Sequence, residues 1–156
     1  MKLNIALENM SSCTDVPGEA DVYRWVSATL SDHREAAELH IRLVDEKESA
    51  ELNERYRHKN GATNVLSFPT ELPEVVQAEL ECPLLGDLVI CAPVVAKEAQ
   101  QQHKTTRAHW AHMVVHGSLH LIGYDHINND EASEMEQLET SILSDCGFPN
   151  PYQSIS

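Results

Sequence analysis

Several things are scarce in this chain, and each scarcity excludes something. Aromatic residues make up 5% of 156 positions, too few for a long platform on which successive bases of a nucleic acid stack. Lys and Arg together number 11 against 25 Asp and Glu, a net charge of −14. A chain so short of cations does not bind nucleic acid by bulk electrostatics, which rests on neutralising phosphates. No window approaches 18 consecutive apolar residues, so a membrane-spanning helix is not expected. The opening MKLNIALENM lacks the apolar stretch of a secretory leader because Asn4, Glu8 and Asn9 interrupt it. The four cysteines, at 13, 82, 91 and 146, form no CxxC pair. They read as ordinary thiols of a reduced intracellular protein, with the cytoplasm as the expected compartment. No internal repeat or low-complexity tract occurs.

What is present is an ordinary globular composition, 42% apolar and 23% charged. A chain of 156 residues is one domain's worth, and 1–156 reads as one domain able to bury roughly two-thirds of its unfolded surface. Alternation of polar and apolar residues predicts strands at 2–7 and 39–45, and the runs TNVLSF, stopped by Pro69, and LLGDLVIC predict strands at 63–68 and 84–91. Apolar positions Val22, Trp25, Val26, Thr29 and Leu30 recur at helical spacing over 20–30. Asp45 followed by Glu48 predicts an N-cap with a capping-box partner for a helix over 46–57. Residues 69–83, with three prolines and several glutamates, predict an exposed acidic connection. After Pro93 the pattern is helical to the end, broken near Gly123, with a last helix over 129–143. Strands early and helices late predict an α+β fold with four strands and about five helices rather than a doubly wound sheet.

The charge is uneven. From Ala108 onward there is no Lys or Arg, while Asp125, Asp130, Glu131, Glu134, Glu136, Glu139 and Asp145 are all acidic. Such a run is ordinarily a solvated face. The one dense basic cluster is Arg55, Arg57 and Lys59 around His58, and it is the place where an anion can be met.

Five of the nine histidines fall in HWAHMVVHGSLHLIGYDH, at 109, 112, 116, 120 and 126. On a helix the first four share one face, within roughly 80° of arc. His116 and His120 are four residues apart, so their imidazoles are neighbours able to share a metal. Gly123 stands where the helix must stop, and glycine permits the reversal that can return His126 to the same point. Three neutral nitrogens with one open position is the donor set of a catalytic zinc site at a helix end. The spacing His-x-x-x-His-x-x-Gly-x-x-His equals that of the metzincin proteases, but the glutamate those enzymes carry after the first histidine as general base is here Gly117. The ligand set is present and the peptidase base is not. His109 and His112 are expected to be structural or to support the ligands rather than join them. Asp125 either orients an imidazole or caps the last helix. Asp87 and Ser67 sit in otherwise apolar strands; Asp87 requires a polar partner or a place at a polar site, and Ser67 reads as a satisfied hydroxyl.

At these residues the sequence resembles the YbeY family of bacterial rRNA-maturation endoribonucleases. The resemblance is carried by HGSLHLIGYDH at 116–126, NERYRHKNGATNVLSFP at 53–69 and LLGDLVI at 84–90, and spans roughly 38–152. It implies a single α+β domain with a small mixed sheet beside a zinc-bearing helix pair. It implies one Zn²⁺ per chain on His116, His120 and His126, with Arg57 as the cleft arginine needed for activity. The implied function is zinc-dependent endonucleolytic cleavage of single-stranded ribosomal RNA, at the small-subunit 3′ end, together with a part in ribosome quality control. The implied partners are ribosomes, a small-subunit ribosomal protein and an Era-type GTPase. Two alternatives stand beside this reading: a metal-stabilised ribosome-assembly factor without its own catalysis, and a metzincin-like hydrolase of another substrate.

Overall fold

Period-two burial sorts the strands into one sheet. In a computed structural model that describes residues 1–152, β1 (Lys2–Asn9), β2 (Ala36–Val44), β3 (Val65–Pro69) and β4 (Leu84–Cys91) lie in the order β1-β2-β4-β3. The last four positions of the expected 1–156 domain lie outside the described residues. β1 and β4 run parallel to β2, whereas β3 runs antiparallel to β4, so the sheet is mixed. Along β2, Ala37, Leu39, Ile41 and Leu43 are buried, and the intervening Glu38, His40 and Arg42 point to the opposite face.

Among the described residues six helices accompany the sheet where about five are expected: α1 (Glu19–Leu30), α2 (Glu46–Arg57), α3 (Glu74–Ala78), α4 (Ala92–Gln101), α5 (Thr106–Leu121) and α6 (Asn129–Asp145). The architecture is a single α+β domain. α5 is its axis. It packs on β3 and β4 and is surrounded by α1, α4 and α6. A helix enclosed in this way must be apolar all round. Trp110, Ala111, Met113, Val114, Val115, Leu119 and Leu121 meet that demand. The four histidines and Ser118 are the exceptions, and each needs a partner.

The structure differs from the sequence expectations at four places. The connection 69–83 is largely exposed but contains α3, a single short helix with no buried residue. β3 starts at Val65, because Asn64 turns its own Oδ1 onto the Val65 N–H at 2.7 Å. The helical run after Pro93 breaks a first time before α5. There His103 adopts φ 55° and Thr105 caps the new helix, accepting from the Ala108 N–H at 3.1 Å. The fourth difference is the capping box, which does not form. Asp45 occupies the N-cap of α2, yet its carboxylate accepts from the Ser12 N–H at 3.1 and 3.0 Å and from the Ser12 hydroxyl at 3.0 Å. Glu48 pairs instead with Arg42 at 2.7 Å. Partners distant in sequence outcompete the local ones.

Candidate metal centre

The last turn of α5 builds the site. His116 and His120 are one turn apart, and their Nε2 atoms stand 3.1 Å from each other. Two imidazole nitrogens on a tetrahedral zinc would be about 3.3 Å apart. Gly123 then takes φ 102°, and the Tyr124 N–H returns to the Leu119 carbonyl at 3.1 Å. This left-handed residue ends the helix and turns the chain back. The His126 ring arrives 5.7 Å from that of His116 and 5.2 Å from that of His120, centre to centre. Ligand atoms of the three histidines lie within 4.8 Å of one another, a group that can hold a metal ion. No fourth His, Cys or carboxylate joins them among the described residues. Burial, reinforced by repulsion from His116, pushes the His120 pKa down and favours the neutral, ligating imidazole.

Glu139 is the residue that sequence reading missed. It was one of seven acidic positions on an expected solvated face, and it is fully buried. Its Oε1 stands 3.2 Å from His116 Nδ1, and its Oε2 stands 2.5 Å from His112 Nε2. A carboxylate can only accept, so both imidazoles donate. His116 therefore carries its proton on Nδ1 and keeps the Nε2 lone pair for a metal, the arrangement that orients ligating histidines generally. The Tyr152 hydroxyl donates to the same carboxylate at 2.9–3.0 Å. Burial alone would raise the Glu139 pKa, but the hydrogen bonds from His112 and His116 overcome it and hold the group at about 2. Burial and the Glu139 charge push the Tyr152 phenol well above its ordinary value, so it stays a donor. Burial lowers the His112 pKa more than Glu139 raises it, leaving a neutral donor. The one available sequence signal was spacing: Met135, Glu139 and Leu143 are four apart on the buried stripe of α6. His109 is tied in the same manner, with Nε2 2.8 Å from Glu98 Oε1, and Glu98 also accepts from Asn64. His109 lies away from the triad, whereas His112 shares Glu139 with His116, and His112, His116 and Glu139 form a second group able to hold a metal ion.

A cleft of about 1000 Å³ opens over the triad. It is lined by His116, His120 and His126 together with Arg57, Lys59 and Tyr56. α2 ends at Arg57, and His58 adopts φ 56° to turn the chain; Arg57 and Lys59 of the basic cluster line the cleft, and Arg55 does not. Neither Arg57 nor Lys59 forms an ion pair among the described residues, while other cations do.

The remaining candidates fall elsewhere. Asp87 is exposed on the sheet face away from α5, with His40 Nδ1 at 3.4 Å as its partner, so it is not part of the site. Asp125 does not cap α6; Asn128 does, accepting from the Glu131 N–H at 2.8 Å. Asp125 accepts from the His126 N–H at 2.8 Å and shapes that loop. Ser67 donates to the Gly117 carbonyl at 3.2 Å, tying β3 to α5. Gly117 itself faces the sheet. A Cβ there would stand 2.8 Å from Leu88 Cδ2 and 3.2 Å from Val65 Cγ2. The glycine lets helix and sheet approach closely, and a larger side chain at this position would force the Leu88 and Val65 side chains to shift.

Comparison with known proteins places this geometry. The family described as endoribonuclease YbeY matches residues 7–147, beginning well before residue 38, where the motif resemblance starts. A relative from Nitrosococcus oceani, named endoribonuclease YbeY, is 53% identical over 155 residues, covering 99% of this chain and 100% of that protein. A solution structure of a Thermotoga maritima protein aligns with 97% of this chain and 99% of its own at a TM-score of 0.55. Identity there is 19%, so that likeness is one of fold.

Proposed function

The chain belongs to the YbeY family, and from that premise we propose that it is a zinc-dependent endoribonuclease that cleaves single-stranded ribosomal RNA at the small-subunit 3′ end, with a part in ribosome quality control. The observation that carries the proposal is one cleft holding three convergent imidazoles and an uncompensated arginine. Three histidine nitrogens with no fourth protein ligand suit zinc with an open coordination position. That open position favours catalysis over a purely structural metal, the alternative of an assembly factor. The chemistry supplied by bound zinc is Lewis acidity toward a phosphoryl oxygen and toward water.

The chain's own residues do the rest. Glu139 fixes the His116 ring and its tautomer. Arg57, lining the same cleft, offers a planar fork of donors suited to binding phosphate oxygens bidentately. Lys59 adds a second, point-like cation. With a net charge of −14 the protein has little attraction for RNA beyond this cleft, so a ribosomal setting supplies the substrate, with a small-subunit ribosomal protein and an Era-type GTPase as partners. No described helix is long and apolar enough to cross a membrane, and the cytoplasm, where ribosomes mature, is the proposed location.

The test measures bound metal and cleavage of a small-subunit 3′ RNA fragment together. The expected results are about one zinc per chain, loss of cleavage on chelation and recovery on adding zinc. Arg57→Ala lowers cleavage by about 100-fold with zinc content and Tm unchanged, and Arg57→Lys recovers only part. Wild-type cleavage by a folded, metal-loaded Arg57→Ala protein would return Arg57 to a surface charge. Chelator-sensitive cleavage of peptides, with RNA left intact, would overturn the substrate.

A further inference from the structure

We propose that Tyr56, with Arg55 laid against its ring, is the stacking surface for one unpaired nucleobase of the RNA whose phosphate lies in the metal cleft; this rests on the endoribonuclease reading above and adds to it how a single strand is held. Tyr56 and Phe68 line both the metal cleft and a neighbouring cavity of about 550 Å³ that runs onto the open sheet face. They therefore stand where the two join. The cleft's volume is at the upper end of what encloses a drug-sized molecule, so it accommodates more than a phosphate group.

Tyr56 is 55% exposed in a chain with few aromatics. It is nevertheless held in place. Phe68 meets it edge to face at 5.3 Å and 73°, and the Arg55 guanidinium carbon lies 5.5 Å from its centre. A ring that is fixed before binding loses little entropy on binding. Aromatic faces and guanidinium planes are the two side-chain surfaces on which unstacked bases lie. The other aromatic residue lining the triad side of the cleft, Tyr124, is partly buried against His33.

Charge sets the direction of the strand. Arg57 and Lys59 share the cleft with Tyr56 and have no acidic partner among the described residues. The neighbouring cavity carries Glu8 and Asp87, and its cation, Arg42, is already paired with Glu48 at 2.7 Å, so it offers phosphate no free positive charge. The RNA backbone accordingly follows the Arg57 and Lys59 side, while a base turns onto Tyr56, the next residue along the same helical turn. A duplex keeps its bases stacked on one another and offers none to the ring. Stacking without base-edge contacts tolerates any of the four bases.

The experiment measures affinity of the zinc-loaded protein for a short single-stranded 2′-O-methyl oligoribonucleotide, for the same strand made abasic, and for its duplex. Tyr56→Ala is expected to weaken binding of the single strand about tenfold. It leaves abasic and duplex binding unchanged, and Tyr56→Phe and Tyr56→Trp keep wild-type affinity. Tm and zinc content are measured for each variant, and the Phe and Trp proteins guard against loss by misfolding. Equal affinity of the wild type for intact and abasic strands, or wild-type affinity in folded Tyr56→Ala, would overturn the proposal. Either result leaves metal-dependent cleavage standing, because that activity is measured separately. Absence of RNA cleavage by the wild type would instead remove the reading on which the proposal rests.

Discussion

The two ends of α5 carry the same residue type on the same face and use it differently. His109 and His112, toward the N-terminus, are 2% and 7% exposed, and each gives its Nε2 to a buried or half-buried carboxylate, Glu98 and Glu139. His116 and His120, at the C-terminal end, turn Nε2 toward each other at the cleft wall. Helical spacing placed all four in a row. What separates them is what each Nε2 meets: carboxylates from α4 and α6 for the first pair, and the neighbouring ligand with the returning His126 for the second. A histidine's role follows from the partner of its nitrogens rather than from its place in a helical pattern.

The sharpest way to break this comparison is to truncate one residue from each pair. His116→Ala or His120→Ala removes a ligand and is expected to weaken zinc binding by more than about 100-fold, beyond what supporting residues control. His109→Ala is expected to keep wild-type zinc content while lowering Tm, because it opens a buried cavity and leaves Glu98 with Asn64 as its remaining donor. Metal analysis and thermal melts on the same samples check both. Full zinc occupancy in His120→Ala would erase the distinction between the two ends.

Glu139 touches both pairs, through His112 and His116, and its effect should be intermediate. Glu139→Gln keeps the volume but lacks the charge and the second acceptor oxygen. It is expected to weaken zinc binding by about 10- to 100-fold, measured by competition with a chelator of known affinity. Tyr152→Phe, which removes a single donor to that carboxylate, should cost only a few-fold. An unchanged zinc affinity in Glu139→Gln would mean that the carboxylate only fills the core.

The smallest effect concerns pH at the far end of the helix. The hydrogen bond from His109, supported by Asn64, holds the Glu98 carboxyl below its ordinary value of 4.5 despite burial. The unfolded chain then takes up this proton at higher pH than the folded one. The stabilisation is fully present above about pH 4.5 and is lost as the pH falls through the lower folded value. Tm measured from pH 6 to pH 3.5 should fall less steeply in Glu98→Gln than in the wild type. Parallel curves would assign acid sensitivity to other carboxylates.

Much of this site was legible along the chain. The pair His116 and His120, the stop at Gly123 and the third donor His126 are separated by fixed short distances, and helix geometry converts those distances into a direction. β1 and β2 were equally legible from alternation, because burial on one face of a pleated strand repeats every second residue, whereas β3 and β4 were legible as short runs bounded by turns and prolines. Glu139 was not, since a carboxylate among acidic neighbours carries no local mark of burial beyond its four-residue spacing from Met135 and Leu143. Asp45 was misleading for the same reason: a local cap was available, and Ser12, 33 positions away, took it.

By itself, then, the sequence determined where the chain would be helical or extended, which side of each element would be apolar, and that three imidazoles would converge beyond a glycine stop. These are properties of neighbours in the chain, governed by periods of 3.6 and 2 and by backbone freedom at Gly123. Only the tertiary structure decided that Gly117 is a contact point with Leu88 and Val65, that Asp87 faces away from the site, that Arg57 shares the cleft with the histidines, and that Glu139 orients His116. Each of those depends on elements far apart in sequence being brought within a few ångströms, and no local period records which distant residue will arrive.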